Sequence, residues 1–285
     1  MSVILFLLAL VVAYSVGMTL VLYICWYYDR NNFPEQAKVP DEPPMRVWAA
    51  LLAVLKEAGS LLLLFLLYPL RLIHDASPVR TRHHAETPVI LVHGYGGNSA
   101  NFLLMQWRLK WRGWSNVYSV SYTPPHINAR KLSQQVVDHV ERILNATGAE
   151  KAHLVCHSMG GPLTRYALKN LGLAGKVDKV VTLGSPHYGS RIAALFPPVG
   201  AAAQLRHNSP FIRELANGET CPGGARYFSL FSNMDNFILP SSSAVLHGAE
   251  ENVHIPYLGH ASLLYSNRVL DQVERCLLKP EQTSE

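Results

Sequence analysis

Ser158 closes a short apolar run, Ala152-His153-Leu154-Val155-Cys156-His157, and is followed by Met159-Gly160-Gly161 and a helix-compatible stretch, Pro162 to Leu168. A strand, a sharp turn with Ser at its tip and then a helix is the context that turns a hydroxyl into a nucleophile. The strained turn lifts the oxygen clear of the sheet edge, and it needs small neighbours where strand and helix pass close together. Gly160 meets that need, while Cys156, two residues before the Ser, stands where a Gly is usual. A Ser at a helix N-cap is common for other reasons, so the chemistry depends on partners: a base to take the proton and a group to orient the base. Asp235 follows the apolar run Phe228 to Phe231, and His260 follows Val253 to Pro256, in that order along the chain. Both have rivals. Glu250 and Glu251 lie before the last apolar run and read as solvated turn residues, and His247 and His254 are also available, the latter inside the run.

A second motif is Leu91-Val92-His93-Gly94-Tyr95-Gly96-Gly97, a strand running into a glycine-rich turn. Backbone N–H groups exposed there, together with that of Met159, can meet a developing oxyanion, and one such donor is typically worth about 2.7–4 kcal/mol. A phosphate cradle would need a GxGxxG or GKS pattern, which this turn lacks. His93 reads as a structural hydrogen bonder.

These residues have to be positioned by a scaffold. Pro88 to Val92, Val117 to Val120, the run into Ser158, Val177 to Leu183, Tyr227 to Phe231 and Val253 to Pro256 read as strands. Asn101 to Arg112, the face Leu132, Val136, Val137, Val140, Ile143 and Leu144, the stretch after Ser158, and Ala261 to Leu278 read as helices. Strands alternating with helices predict an α/β fold with a mostly parallel sheet covered by helices on both faces. Ser190 to Gly218 carries Ile192, Ala193, Ala194, Leu195, Phe196 and Val199 around Pro197-Pro198. It fits a short cap over the pocket and an ordinary core helix equally well.

Charged residues make up only 16% of the 285 positions, and the apolar excess sits at the N-terminus. Met1 to Tyr28 holds no charged side chain, which is long enough to cross a bilayer. It lacks the basic start of a secretory signal, so residues 1–30 are expected to be a transmembrane anchor ending in the aromatic belt Trp26, Tyr27 and Tyr28, with a processed signal as the alternative. Residues 31–46, with Pro34, Pro40, Pro43 and Pro44, form an expected linker, and residues 47–74 a second apolar, membrane-associated helix interrupted by Lys56-Glu57 and Gly59-Ser60. Spanning, lying in the interface and packing on the catalytic domain all fit that second helix. A central Lys and Glu cost a few kcal/mol each in hydrocarbon unless paired. The catalytic domain is expected over residues 75–285. Arg30, Lys38 and Arg46 on one side and Arg71, Arg80 and Arg82 on the other leave the orientation open. The net charge of +5 is scattered, which argues against nucleic acid as a partner and suits an anionic bilayer surface. Cys221 and Cys276 pair only if the fold brings them together, and no CxxC spacing suggests a metal.

Four segments in order resemble those of bacterial lipases of the α/β-hydrolase superfamily, in particular the small lipases with little or no lid: Pro88 to Gly97, His157 to Gly161, Thr182-Leu183-Gly184-Ser185-Pro186-His187-Tyr188-Gly189-Ser190, and Gly259-His260-Ala261-Ser262-Leu263-Leu264-Tyr265-Ser266. The resemblance spans roughly Pro88 to Leu278. It implies an α/β-hydrolase fold, Ser158 as nucleophile, His260 as general base and acid, Asp235 as its orienter, and oxyanion donors at the backbone of Tyr95 and Met159. It implies no cofactor and no metal, and no carboxylate cluster argues for the calcium ion some relatives hold. The departure at Cys156 is expected to strain the turn. The N-terminal apolar segments are not part of those small lipases. The expectation is a membrane-anchored serine carboxylic ester hydrolase acting on lipid-like acyl esters, in a bacterial inner membrane, with the side of the domain and the oligomeric state open. A phospholipase, lysophospholipase or acyltransferase shares the acyl-enzyme, and a non-catalytic membrane scaffold is the alternative of another class.

Overall fold

The computed structural model describes residues 3–40, 42–75, 86–124 and 126–280. Six strands, β1 (Val89–Val92), β2 (Val117–Val120), β3 (Ala152–His157), β4 (Val177–Leu183), β5 (Arg226–Phe231) and β6 (Glu251–His254), form one sheet in the order β2-β1-β3-β4-β5-β6, every pair parallel. Alternation along the strands builds two cores. Val89 and Leu91 join Val155, Val181 and Phe228 on one face, while Ile90 and Val92 join Leu154, Cys156 and Val180 on the other. The first face is covered by α3 (Leu103–Trp111) and α6 (Asn267–Leu278), and the second by α4 (Ala129–Thr147) and α5 (Gly160–Asn170). Helix α4 shows why the sequence was legible here. Leu132, Val136, Val140, Ile143 and Thr147 are buried at helical spacing, the Asn128 side chain accepts the N–H of Arg130, and Gly148 ends the helix at φ 69°.

Chain direction reverses between β1 and β3. From β1 the chain moves outward to β2, and from β3 it moves outward on the other side. The carboxyl ends of two such adjacent strands leave a crevice, which is where open α/β sheets place ligands. The turn after Val92 and Ser158 both emerge there.

Two segments differ from expectation. The final helix is broken: Ser262–Tyr265 is one helical turn, Ser266 is extended, and α6 starts at Asn267. At the break the Tyr265 carbonyl accepts from Arg108 Nη1 at 2.8 Å. The stretch from Ser190 divides the two expected roles between its halves. Ile192, Ala193 and Phe196 face the crevice, while Phe211, Ile212 and Leu215 on Pro210–Ala216 pack into the core. All four cysteines are free, so Cys221 and Cys276 do not pair.

The N-terminal helices α1 (Val3–Asn32) and α2 (Val47–Leu67) run antiparallel, with Tyr14 against Phe65 at 5.4 Å and Tyr23 clustered with Ala53. Both are long and apolar enough to cross a membrane, and only 11% of each apolar window is buried. No described residue of α1 before Ser15 is buried; from there Ser15, Thr19, Leu22, Tyr23 and Asp29 are buried, Leu22 against Ile192 and Leu239 and Tyr23 against Ala53 and Met234. Asp29 pairs with Arg191 at 2.5 Å, and Trp26 Nε1 donates to the Asn233 carbonyl at 3.0 Å. Between the helices, Pro34–Ala37 forms one helical turn. Glu42 there accepts from Arg30 at 2.6 Å and from Asn233 at 3.0 Å, and Tyr257 Oη donates to the Pro44 carbonyl at 2.8 Å. Lys56 lines a groove with Ser60, Ser262, Ser266 and Arg268, so the charges that interrupt α2 lie where it meets the domain. The stretch after Asp75, which holds Arg80 and Arg82, lies outside the described residues.

Candidate active site

β3 ends at His157 and α5 begins at Gly160, so Ser158 and Met159 make the whole turn. Ser158 has φ 55°, a left-handed conformation that costs an ordinary L-residue roughly 1–2 kcal/mol. The fold holds it from both sides: its N–H donates to the Leu183 carbonyl at 2.9 Å, and its carbonyl accepts from Gly161 at 3.1 Å. Space is as tight as the sequence implies. A Cβ on Gly94 would lie 2.7 Å from Ser158 Cβ and 3.2 Å from Oγ. Cys156 lies inside β3, and the left-handed backbone falls on Ser158 instead. The Cys156 side chain points into the core, fully buried, with Sγ 3.2 Å from Thr164 Oγ1, and burial pushes its thiol up to about 12. It is a small apolar filler there.

Asp235 lies in the turn after β5, with its Oδ1 accepting the N–H groups of Phe237 at 2.9 Å and Ile238 at 3.0 Å. His260 follows β6, and its N–H donates to Asn236 Oδ1 at 3.2 Å. The two side chains meet: His260 Nδ1 lies 3.0 Å from Asp235 Oδ1 and 2.9 Å from Oδ2. A proton on Nδ1 leaves Nε2 as the acceptor. Phe237 stacks on the His260 ring at 5.0 Å, and the His157 ring packs against it at 4.5 Å. Burial pulls the His260 pKa down, but the charge and hydrogen bond of Asp235 outweigh it, and the net shift is upward. His157 is held neutral, its pKa pushed well down by burial and then by His260. His157 Nε2–H donates to the His260 carbonyl at 3.1 Å, and its buried Nδ1 has no partner among the described residues.

Ser158 and His260 line one cavity, whose walls are mostly apolar. Ile192, Phe196 and Phe237 come from the domain, and Met18, Leu61 and Phe65 from the N-terminal helices. Among the described residues Ser158 Oγ makes no hydrogen bond. Such contacts often tighten only when substrate is bound. Tyr95 lines the same cavity and Met159 directly follows Ser158, and the backbone N–H groups of both have no partner among the described residues. His93 behind them is structural, as expected: Nδ1–H donates to the Gly94 carbonyl at 2.8 Å, Nε2 accepts from Tyr122, and burial lowers its pKa to about 4. The rivals lie elsewhere. Glu250 is held by Arg226 at 2.7 Å and Glu251 by Arg275 at 2.7 Å, His254 stacks on Phe231, and His247 lies against Tyr188. Glu57, His157 and Phe237 were not singled out by sequence reasoning as parts of this site. The one signal for Glu57 was its cost in an apolar helix.

A parallel sheet with helices on both faces, and a left-handed Ser between the third strand and its helix, define an α/β-hydrolase fold. The solved structures agree on the fold. The mature form of a Bacillus licheniformis lipase aligns with a TM-score of 0.60 at 20% identity, covering 72% of this chain and 96% of that one. Aspergillus fumigatus lipase B aligns with a TM-score of 0.57 at 20% identity, covering 68% and 54%. Residues 86–276 match the family described as Lipase (class 2), and the chain belongs to that family. A triacylglycerol lipase of Burkholderia plantarii is 34% identical over 155 residues, which is 51% of this chain and 40% of that protein. A triacylglycerol lipase of Pseudarthrobacter phenanthrenivorans is 36% identical over 115 residues, 37% of this chain and 35% of that protein. The aligned part is thus well under half the length of either relative.

Proposed function

We propose that the protein is a membrane-anchored serine carboxylic ester hydrolase that acts on lipid-like acyl esters. The observation that carries this is the Asp235–His260 pair beside Ser158 at the mouth of an apolar cavity. In this scheme His260 Nε2 takes the Ser158 proton as Oγ attacks the ester carbonyl carbon. The tetrahedral oxyanion is met by the N–H groups of Tyr95 and Met159. The C–O bond to the alcohol then breaks, and the alcohol leaves with the proton from His260. Water, deprotonated by the same imidazole, hydrolyses the acyl-enzyme and regenerates Ser158. Asp235 keeps the proton on Nδ1 and stabilises the imidazolium. The likeness to relatives named triacylglycerol lipases supports an acyl ester as substrate.

Membrane anchoring is supported by the outward side chains of α1 and α2. Ile4, Leu5, Leu52 and Leu55 are all more than half exposed, and each is worth roughly 0.3–0.6 kcal/mol on entering a bilayer. In this arrangement residues 1–30 anchor the chain, residues 47–74 lie with them in the membrane, and the shared inner face closes over the catalytic domain of residues 75–285. A bacterial cytoplasmic membrane fits the bacterial relatives. The test is hydrolysis of p-nitrophenyl esters of short to long acyl chains by the wild type and Ser158→Ala, with flotation of both on anionic vesicles. Activity lost in the variant while flotation is kept is the expected result. Activity retained in Ser158→Ala refutes the nucleophile, and failure to float refutes the anchor.

A further inference from the structure

Glu57 lies near the middle of α2 and is buried. Its Oε1 accepts the N–H of Ala261 at 2.8 Å, and its Oε2 accepts the N–H of Ser262 at 2.9 Å and the Ser262 hydroxyl at 2.7 Å. These donors belong to the two residues that follow His260. Gly259 precedes it, and a Cβ there would fall well inside contact distance of the same carboxylate. The backbone on both sides of the general base is therefore fitted to one side chain that enters from outside the family-matched region 86–276. Burying a carboxylate is expensive, and three donors offset the cost without making it a better tether than an apolar side chain. What a carboxylate offers that a leucine does not is fixed geometry and a negative charge beside the imidazole.

We propose that Glu57 is a positioning residue for His260, holding its turn by three hydrogen bonds and adding to Asp235 a second negative charge that stabilises the imidazolium, so that the N-terminal helix pair completes the active site. The inference rests on His260 acting as the general base. The other titratable groups facing the imidazole are Asp235 and His157, and those facing the Glu57 carboxylate are Tyr23 of α1 and Tyr265. None of these can take the place of Glu57. Asp235 is committed to Nδ1, His157 is neutral, and the tyrosines carry no charge near neutral pH.

The test compares full-length wild type, Glu57→Gln and Ser262→Ala in detergent. The readouts are kcat, KM and their pH profiles on a p-nitrophenyl ester, the rate of fluorophosphonate labelling at Ser158, and the His260 titration by NMR of 13C-labelled histidine. Glu57→Gln keeps the shape, removes the charge and turns an amide NH2 toward one of the N–H donors. The expected result is a fall in kcat of about tenfold to a hundredfold with KM nearly unchanged. The His260 titration and the acid limb of the profile move to lower pH, and labelling slows in step. Ser262→Ala shifts the same quantities in the same direction by less. A folded Glu57→Gln protein with unchanged kcat and unchanged His260 titration overturns the proposal. Should that variant not fold, Ser262→Ala decides: unchanged kcat and titration overturn it equally. Wild type that cleaves no ester defeats the hydrolase reading instead, and the NMR titration still reads the coupling between Glu57 and His260.

Discussion

Asp235→Asn isolates the role of the carboxylate at almost constant volume. Asp235 is about 1% exposed, and its Oδ1 already holds two backbone N–H groups at 2.9 and 3.0 Å. In the variant the amide oxygen has to stay on those donors, because an NH2 turned toward them would leave both unpaired in the interior. The NH2 then takes the place of Oδ2, which lies 2.9 Å from His260 Nδ1. The pocket leaves no room to turn away, since even a Cβ on Gly184 would come within 2.5 Å of that oxygen. A donor facing Nδ1 favours the tautomer with its proton on Nε2, which cannot accept from Ser158. The equivalent change in a Ser-His-Asp protease costs about 10⁴ in kcat, which corresponds to about 5.5 kcal/mol at 1.36 kcal/mol per tenfold. The assay is kcat on a p-nitrophenyl ester at a pH above the His260 titration, with thermal unfolding alongside to show that the variant is folded. A folded variant within tenfold of wild-type kcat refutes the argument that Asp235 sets the tautomer.

Other expectations follow from the same geometry. Because Asp235 raises the His260 pKa above its ordinary value of about 6.5, kcat/KM should fall as pH drops through a midpoint above that value, and a midpoint below it counts against the pairing. The linked stability has the sign of a raised base: it is fully present below the unfolded pKa and lost as pH rises through the folded one. The excess melting temperature of wild type over Asp235→Asn should therefore shrink with rising pH, and a growing excess contradicts it. Gly94→Ala puts a methyl 2.7 Å from Ser158 Cβ, so kcat should fall by about a hundredfold with flotation unaffected; full activity shows that the turn has slack. Arg165 is fully buried and donates to the carbonyls of Thr220, His187 and Leu215. Arg165→Met strands all three and should cost about 3 kcal/mol or more in a denaturant titration, while a midpoint like the wild type's removes Arg165 from the account of stability.

The order of elements was legible because it rests on local physics. Alternating apolar runs and a 3.6-residue stripe such as Leu132, Val136, Val140 and Ile143 declare their own partners, and small residues around Ser158 declare a tight turn. Asp235 and His260 were readable for a related reason. A parallel sheet sends every strand's carboxyl end to one edge, so residues just past successive strands are neighbours whatever lies between them. Local pattern thus specifies the sheet, its coverage and which loops converge. How those loops are held is specified by packing between distant elements. Nothing local ties Glu57 to Ala261, 204 positions away, or Asp29 to Arg191. At the break before α6 Arg108 reaches the Tyr265 carbonyl from 157 positions away, and the burial of Cys156 depends on which way its strand faces. These are contacts between elements whose own periodicity is already satisfied, so their cost or benefit appears only once the elements are packed together.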